Sequence, residues 1–375
     1  GTQLTIAGGE GCWINNGTFN PDTSRVIFTN AAAVMAGETN FYNVTIDTGA
    51  ELTMSTNNIM RIAGTITNNG VWHAKFLVNT VEYNGGNQTV LNPNGETGGY
   101  QHLILSGSGT KTMPASALSI AGNFSLSGTA SATAGSALTV SGSFTTGSGT
   151  TFDANSFSHS IGGGFTNNGG FTASTSTITL NGTAAQTMGG TTTTGFNNLT
   201  ISNTSAAVSA NANFSVGGTL NVDSNVVLSP DASVVISGNG TLQGNGTVKV
   251  TRTETTPDFN SQFTISNKTL TDLTVEYTGT ATQEVSSLTY GNLKVNNSSG
   301  VTLSGTATVN GTLILTSGMI TTGNSNTLML GSTGTLSESN DADGNLTNDS
   351  VVVGNIQTTR TLSTGVNETF GGLGI

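Results

Sequence analysis

Oxygen-bearing side chains alternate along Ser339-Asn340-Asp341-Ala342-Asp343-Gly344-Asn345, the best candidate for metal chemistry in the 375-residue sequence. Asp341, Asp343 and Asn345 stand at every second position and Gly344 permits a sharp turn, as in the first half of a calcium loop. Glu338 and Asp349 lie close by. No carboxylate occupies the bidentate position that completes the pattern, and acidic turns containing Gly also suit solvated corners. Calcium on these three residues is the one cofactor the sequence suggests, and no other is expected.

Catalysis by a pair of carboxylates needs an acid and a base a few ångströms apart, and lyase chemistry needs a base with cationic or metal help. The sequence offers little of either. Asp223 and Asp231 stand apart, while Asp272, Glu276 and Glu284 are near one another only along the chain and read as solvated positions. His73, His102 and His159 fall in three different contexts. Trp13 and Trp72 have the shape of sugar-stacking platforms, yet they hold positions where a repeated motif elsewhere has Phe, which reads as core. Cys12 is the only cysteine, so no disulfide framework and no Cys-based zinc site can form within the chain. The expectation is a protein that is not an enzyme.

Charge narrows the partners. Nine Lys and Arg against twenty Asp and Glu leave a net charge of −11, which excludes the basic footprint that nucleic acid requires and disfavours anionic membrane surfaces. No signal peptide, lipidation motif or apolar run of membrane length is read, so no membrane insertion is expected in this segment. The first residues already look like mid-repeat strand, and the chain reads as a segment of a longer protein.

The elements that must position these residues are short strands. Gly, Ser, Thr and Asn dominate, but Val, Ile, Leu and Phe recur in alternating runs that disordered tracts lack. Three signatures return in fixed order. The first is an apolar residue, an Asn-centred pair, usually Gly, then an aromatic: Trp13 to Phe19, Ile66 to Trp72, Phe165 to Phe171, and a degraded copy from Ile265 to Leu270. The second is a strand followed by a polar turn and a Gln, as in Val81-Glu82-Tyr83 with Gln88, Ile178-Thr179-Leu180 with Gln186, and Val275-Glu276-Tyr277 with Gln283; Val26-Ile27-Phe28 opens a copy without the Gln. The third runs aromatic, x, Asn, aliphatic, x, aliphatic: Phe41 to Ile46, Tyr100 to Leu105 with His102 in the Asn place, Phe196 to Ile201, and Tyr290 to Val295.

Tyr83, Leu180 and Tyr277 are 97 residues apart each time, whereas Phe28 and Tyr83 are only 55 apart. The difference equals two units of about 20 residues, one coil of many solenoids. Tandem β-sandwich domains of about 100 residues are the structural rival, but a 55-residue module is too short for one. The reading is therefore all-β: a parallel β-helix or β-solenoid with coils of about 20 residues, about 20 coils in all, which at about 4.8 Å per coil would make a rod of about 95 Å. Approximate modules are 1–72, 73–171, 172–270 and 271–350, with 351–375 beginning a following segment. Corners at the Asn pairs turn the preceding aromatic inward, and stacked Asn side chains are expected to bond to one another along the stack.

The succession Phe165 to Phe171, Ile178 to Gln186, Phe196 to Ile201 and Gly218-Thr219-Leu220 resembles the long β-strand-repeat surface and secreted proteins of Bacteroidota and related phyla. The stretch from Val351 through Arg360 to Ile375 is similar to a segment such proteins place after their repeats. The resemblance implies an extracellular or cell-surface location, export by the type IX route, and a structural or adhesive rod without catalysis. Surface glycans or neighbouring copies of the chain are the expected partners. Two alternatives stand beside this reading: a segment of a self-assembling extracellular fibre, and a carbohydrate-binding β-helix module.

Overall fold

The computed structural model describes residues 1–96, 98–338 and 350–359. All strand pairings within it are parallel, and the strands stack as a β-solenoid of about 16 turns, about 21 residues apart. The expected fold class is thus observed, with fewer and slightly longer coils than the sequence spacing suggested. The chain divides into two compact units, Gly1–Gly182 with Gly189–Gly195, and Thr183–Met188 with Phe196–Ile375.

In the first unit a representative coil has three short strands, Phe124–Leu126, Ser131–Thr133 and Leu138–Val140, and the next repeats them as Phe144–Thr146, Thr151–Asp153 and Ser158–Ile161. Alternation within each strand sends every second residue inward. Phe124, Leu126, Ala132, Leu138 and Val140 are buried, whereas Thr133 and Thr139 are exposed. Because the coils are in register, like lies on like: Phe124 pairs with Phe144 and Phe144 with Phe165, while Ile120, Val140, Ile161 and Leu180 form another column. The Phe144 ring lies 5.1 Å from Phe165 and from Phe152, and 5.5 Å from Phe124.

Corners between strands are tight. Gly128 has φ +66°, and a Cβ there would lie 2.4 Å from the carbonyl oxygen of Gly107 in the coil beneath, so both its conformation and its stacking require glycine. The Asn corners behave as the third signature implies. In the second unit Phe196 is buried, Asn197 and Asn198 turn the chain, and Leu199 and Ile201 are buried again.

The second unit repeats the architecture, with departures at a long coil and at the 11-residue strand Ile320–Leu330, whose pairing with Val352–Thr358 shifts register. Thr247 pairs with Thr274, so one coil spans 27 residues and contains the only α-helix among the described residues, the single turn Phe259–Gln262. Asp258 caps it, accepting from the Ser261 amide at 2.7 Å. Neither the extra length nor the turn of helix follows from the signatures.

The stacked aromatics yield a prediction. Phe144→Ala removes a fully surrounded ring and should cost about 3–5 kcal/mol locally, whereas Phe76→Ala, at a residue 57% exposed, should change stability by less than about 0.5 kcal/mol. Since each coil touches mainly its neighbours, amide exchange should quicken at residues 124–126 and 165–167 and stay unchanged near Leu293.

Candidate functional site

The side chains best suited to chemistry are mostly used to join coils. Gln88, Gln186 and Gln283, the Gln of the second signature, are all buried. Gln88 donates through Nε2 to the carbonyls of Ile62 (2.7 Å) and Gly64 (2.9 Å), and its Oε1 accepts from the Gly85 amide at 2.8 Å. Gln283 repeats this with Val250 and Arg252 (2.9 Å each) and the Gly279 amide (2.7 Å). A side-chain donor also reaches each Oε1: Lys111 Nζ at 2.7 Å on Gln88, Asn203 Nδ2 at 3.0 Å on Gln186, and Asn297 Nδ2 at 2.9 Å on Gln283. Lys111 is wholly buried and also donates to the carbonyls of Gly85 and Gly86. Burial lowers its pKa to about 8, so at neutral pH it keeps the three protons its three acceptors use.

Two buried tyrosine pairs perform one task in different modules. The Leu91 amide donates to Tyr83 Oη (3.1 Å), the Tyr83 and Tyr100 hydroxyls are 2.9 Å apart, and Tyr100 donates to the Leu91 carbonyl at 2.5 Å. Tyr277 and Tyr290 clamp Ser286 in the same way. Burial pushes the pKa of Tyr83 and Tyr277 up to about 12, and that of Tyr100 and Tyr290 well above the ordinary value. The middle module has Leu180 and Phe196 at the matching positions, where no hydroxyl needs a partner.

The Asn corners differ from expectation in their partners. Asn43, Asn198 and Asn292 accept through Oδ1 from the backbone amides of Thr65, Thr219 and Thr312, each at 2.9 Å and 20–22 residues ahead. Side-chain to backbone bonds therefore replace the predicted side-chain ladder at these corners. The reason is geometric: at a turn the amide of the next coil is left without a ladder partner and lies within reach of Oδ1. His102 does the same with Nδ1, accepting from the Asn123 amide at 2.9 Å, which explains how it stands in for Asn.

The other sequence candidates are scattered. His159 is buried, accepts from the Leu138 amide at Nδ1 (3.1 Å) and faces the Ala154 carbonyl with Nε2 (2.8 Å). His73 lies between Glu51 (3.6 Å) and Glu96 (3.5 Å). Trp72 is fully buried, and Trp13 is partly buried against Phe19, Phe28 and Phe41 with Nε1 bonded to Thr39, as core aromatics should be. Glu276 corrects the solvated reading: it is buried and pairs with Lys294 at 3.0 Å. Cys12 is free and partly buried. Asp341, Asp343 and Asn345 lie outside the described residues. Among the described residues no group of three or more His, Cys, Asp or Glu is placed to hold a metal, and no helix is long and apolar enough to cross a membrane.

Two concave sites stand out among the described residues. In the first unit, Ile66–Asn68 ends one ladder and Gln88–Thr89 begins another, and a cleft of about 490 Å³ lies between them, lined by Thr65, Ile66, Thr67, Asn87, Gln88, Thr89, Leu91 and Thr112. In the second unit, the long coil forms a pocket of about 360 Å³ lined by Ala232, Ser233, Arg252, Thr253, Glu254 and Thr255. Thr255 and Thr256 have φ +36° and +60°, a conformation β-branched residues rarely adopt. Sequence reasoning missed this pocket. Its available signal was the interruption of strand alternation by Thr251-Arg252-Thr253-Glu254-Thr255-Thr256-Pro257-Asp258.

The fold defines a class, the parallel β-solenoid repeat proteins. No family model, curated protein or solved structure matches the chain.

His159 supplies a pH test. Burial lowers its pKa from 6.5, against the opposing bond to Ala154. The unfolded chain then binds more protons than the folded one below about pH 6.5, so this residue's contribution to stability is complete above that value and declines as pH falls through it. Nitrogen NMR should find the folded His159 ring titrating below the ordinary histidine range, with Nδ1 unprotonated in the neutral form, where it accepts from the Leu138 amide. His159→Gln should remove that part of the pH dependence.

Proposed function

We propose that this chain is a structural and adhesive element of a bacterial surface or secreted repeat protein, without catalysis. The observation that carries the reading is a repeated outward surface. On one sheet of the first unit, Thr110, Ser131 and Thr151 form one column and Thr89, Thr112, Thr133, Asp153 and Thr172 another, matched residue to residue by the strand register. Most of these hydroxyl residues are exposed, while Lys111, Ala132 and Phe152 between them point inward. Such columns repeat at the strand spacing of about 4.8 Å, which suits many weak identical contacts better than one tight site. The use of buried Gln, Lys, Tyr and His side chains to hold coils together supports the structural half. Location outside the cell accords with the resemblance to long surface repeat proteins and with the single cysteine.

The test coats inert beads with the protein and measures their retention under flow on polysaccharide and protein surfaces. Retention is expected, and replacing Thr110, Thr112 and Thr151 by Lys, no two of which oppose each other, should reduce it by about tenfold or more while the fold is kept, because these side chains face solvent. No retention on any surface would refute the adhesive role. Release of sugar ends from a polysaccharide panel would refute the absence of catalysis, and antibody labelling of intact source cells checks location.

A further inference from the structure

The pocket of the long coil holds a cation that the protein leaves without a partner. Arg252 Nε is buried and makes no hydrogen bond, and no ion pair involves the guanidinium among the described residues. A buried donor without a partner is costly, and Arg252 is only half-buried and lines the pocket, so its outer guanidinium nitrogens are the ones that can meet a ligand there. Its backbone, in contrast, is held from both sides. Gln262 Oε1 accepts from the amides of Thr251 (2.8 Å) and Arg252 (3.1 Å), and Gln283 Nε2 donates to the Arg252 carbonyl at 2.9 Å. Gln262 is in turn fixed to the Asp231 carbonyl and to Thr251 Oγ1. Both glutamines are completely buried. The guanidinium therefore projects from a rigid support.

The far side of the loop is anchored as well. The Asp258 amide donates to the Thr256 carbonyl at 2.9 Å, Ser261 Oγ donates to that same carbonyl, and the Glu284 amide holds the Pro257 carbonyl at 3.0 Å. The positive φ angles of Thr255 and Thr256 are thus imposed by contacts on both flanks.

The chemistry of the lining selects a ligand. Arg252 and Glu254 border one pocket yet form no ion pair with each other, so the space between them takes a group that accepts from a guanidinium and donates to a carboxylate. An anion would satisfy Arg252 and be repelled by Glu254, and a cation would do the reverse. Neighbouring hydroxyls on a sugar ring do both at once, because each hydroxyl is donor and acceptor. Ser233, Thr253 and Thr255 add three neutral hydroxyls to the lining, and the net charge of −11 disfavours acidic ligands. The volume of about 360 Å³ falls in the lower range of small-molecule sites. We infer that this pocket binds a neutral saccharide unit through a vicinal pair of hydroxyls bridged between Arg252 and Glu254. The inference deepens the adhesive reading and rests on it for its biological setting.

The test is saturation-transfer and chemical-shift NMR on the full chain with glucose, galactose, mannose, xylose and their disaccharides, and with glucuronate and inorganic sulfate as anionic probes. At least one neutral sugar should bind with Kd of about 1–10 mM, as suits a small ligand with few contacts. Arg252→Met should weaken it by about tenfold or more with the thermal midpoint little changed, since the guanidinium makes no hydrogen bond or ion pair among the described residues and Met keeps the apolar stem. Glu254→Leu should weaken neutral sugars and improve glucuronate, because the repelling carboxylate is gone. The inference is overturned if no neutral sugar binds at about 20 mM, if Arg252→Met binds as the parent does, or if glucuronate or sulfate binds the parent more tightly than every neutral sugar. Arg252-dependent sugar binding without bead retention would sink only the adhesive reading. Bead retention without sugar binding would sink only the pocket.

Discussion

In-register parallel stacking is the constraint on which the rest of this protein depends. Each residue lies beside its equivalent about 21 residues away, so every side chain must suit a close copy of itself above and below. Aromatic rings tolerate this well, as the Phe124, Phe144 and Phe165 column shows. Like charges do not, because directly opposed they repel. Opposite charges are paired at several ladder positions: Arg61 opposes Glu82, and Lys249 and Lys294 flank Glu276, whereas Asp258 opposes Glu284 only at an isolated bridge beside the long coil. The low charged fraction, 8% of residues, follows from the same rule. Threonine, serine and asparagine can be repeated indefinitely without electrostatic cost.

Stacking also explains why polar groups lie inside. A three-stranded coil has corners, and at corners the backbone leaves the ladder with amides and carbonyls that still need partners. Buried Gln88 and Gln283 each satisfy two carbonyls of an earlier coil, and the tyrosine pairs satisfy both groups of Leu91 and Ser286. Lys111 reaches the same goal with a charge, which is tolerable because three oxygens surround its three protons. The buried glutamine recurs in each of three modules, with a side-chain donor on its Oε1 each time, so the module is a unit of corner chemistry as much as of length.

The long coil of the second unit breaks the rule of equivalents, and there the pattern of mutual satisfaction ends. Its loop stores strain at Thr255 and Thr256 and presents an arginine whose buried Nε makes no hydrogen bond. Strain persists only where surrounding contacts over-determine the backbone, and buried Gln262 and Gln283 provide that support. The first unit thus has a regular outward face of hydroxyl columns, and the second unit has one irregular pocket at its long coil.

The strand alternation, the three signatures and the near-20-residue echoes determined the fold class, because in a solenoid the contacts that matter join residues at nearly constant sequence separation. Burial of Trp72, the inward turn of Phe196 and the corner role of His102 were legible for the same reason: each occupies a place that other copies define. The tertiary structure alone decided which partners the polar side chains take. It showed that Asn corners bond to the next coil's backbone, that Glu276 is buried beside Lys294, and that Lys111 replaces an asparagine as donor to a buried glutamine. It also created the pocket at Arg252, where residues 232–233 meet residues 252–255. Repetition writes itself into a sequence as period, whereas a site built from one departure becomes visible only when the departing loop is seen against the coil beside it.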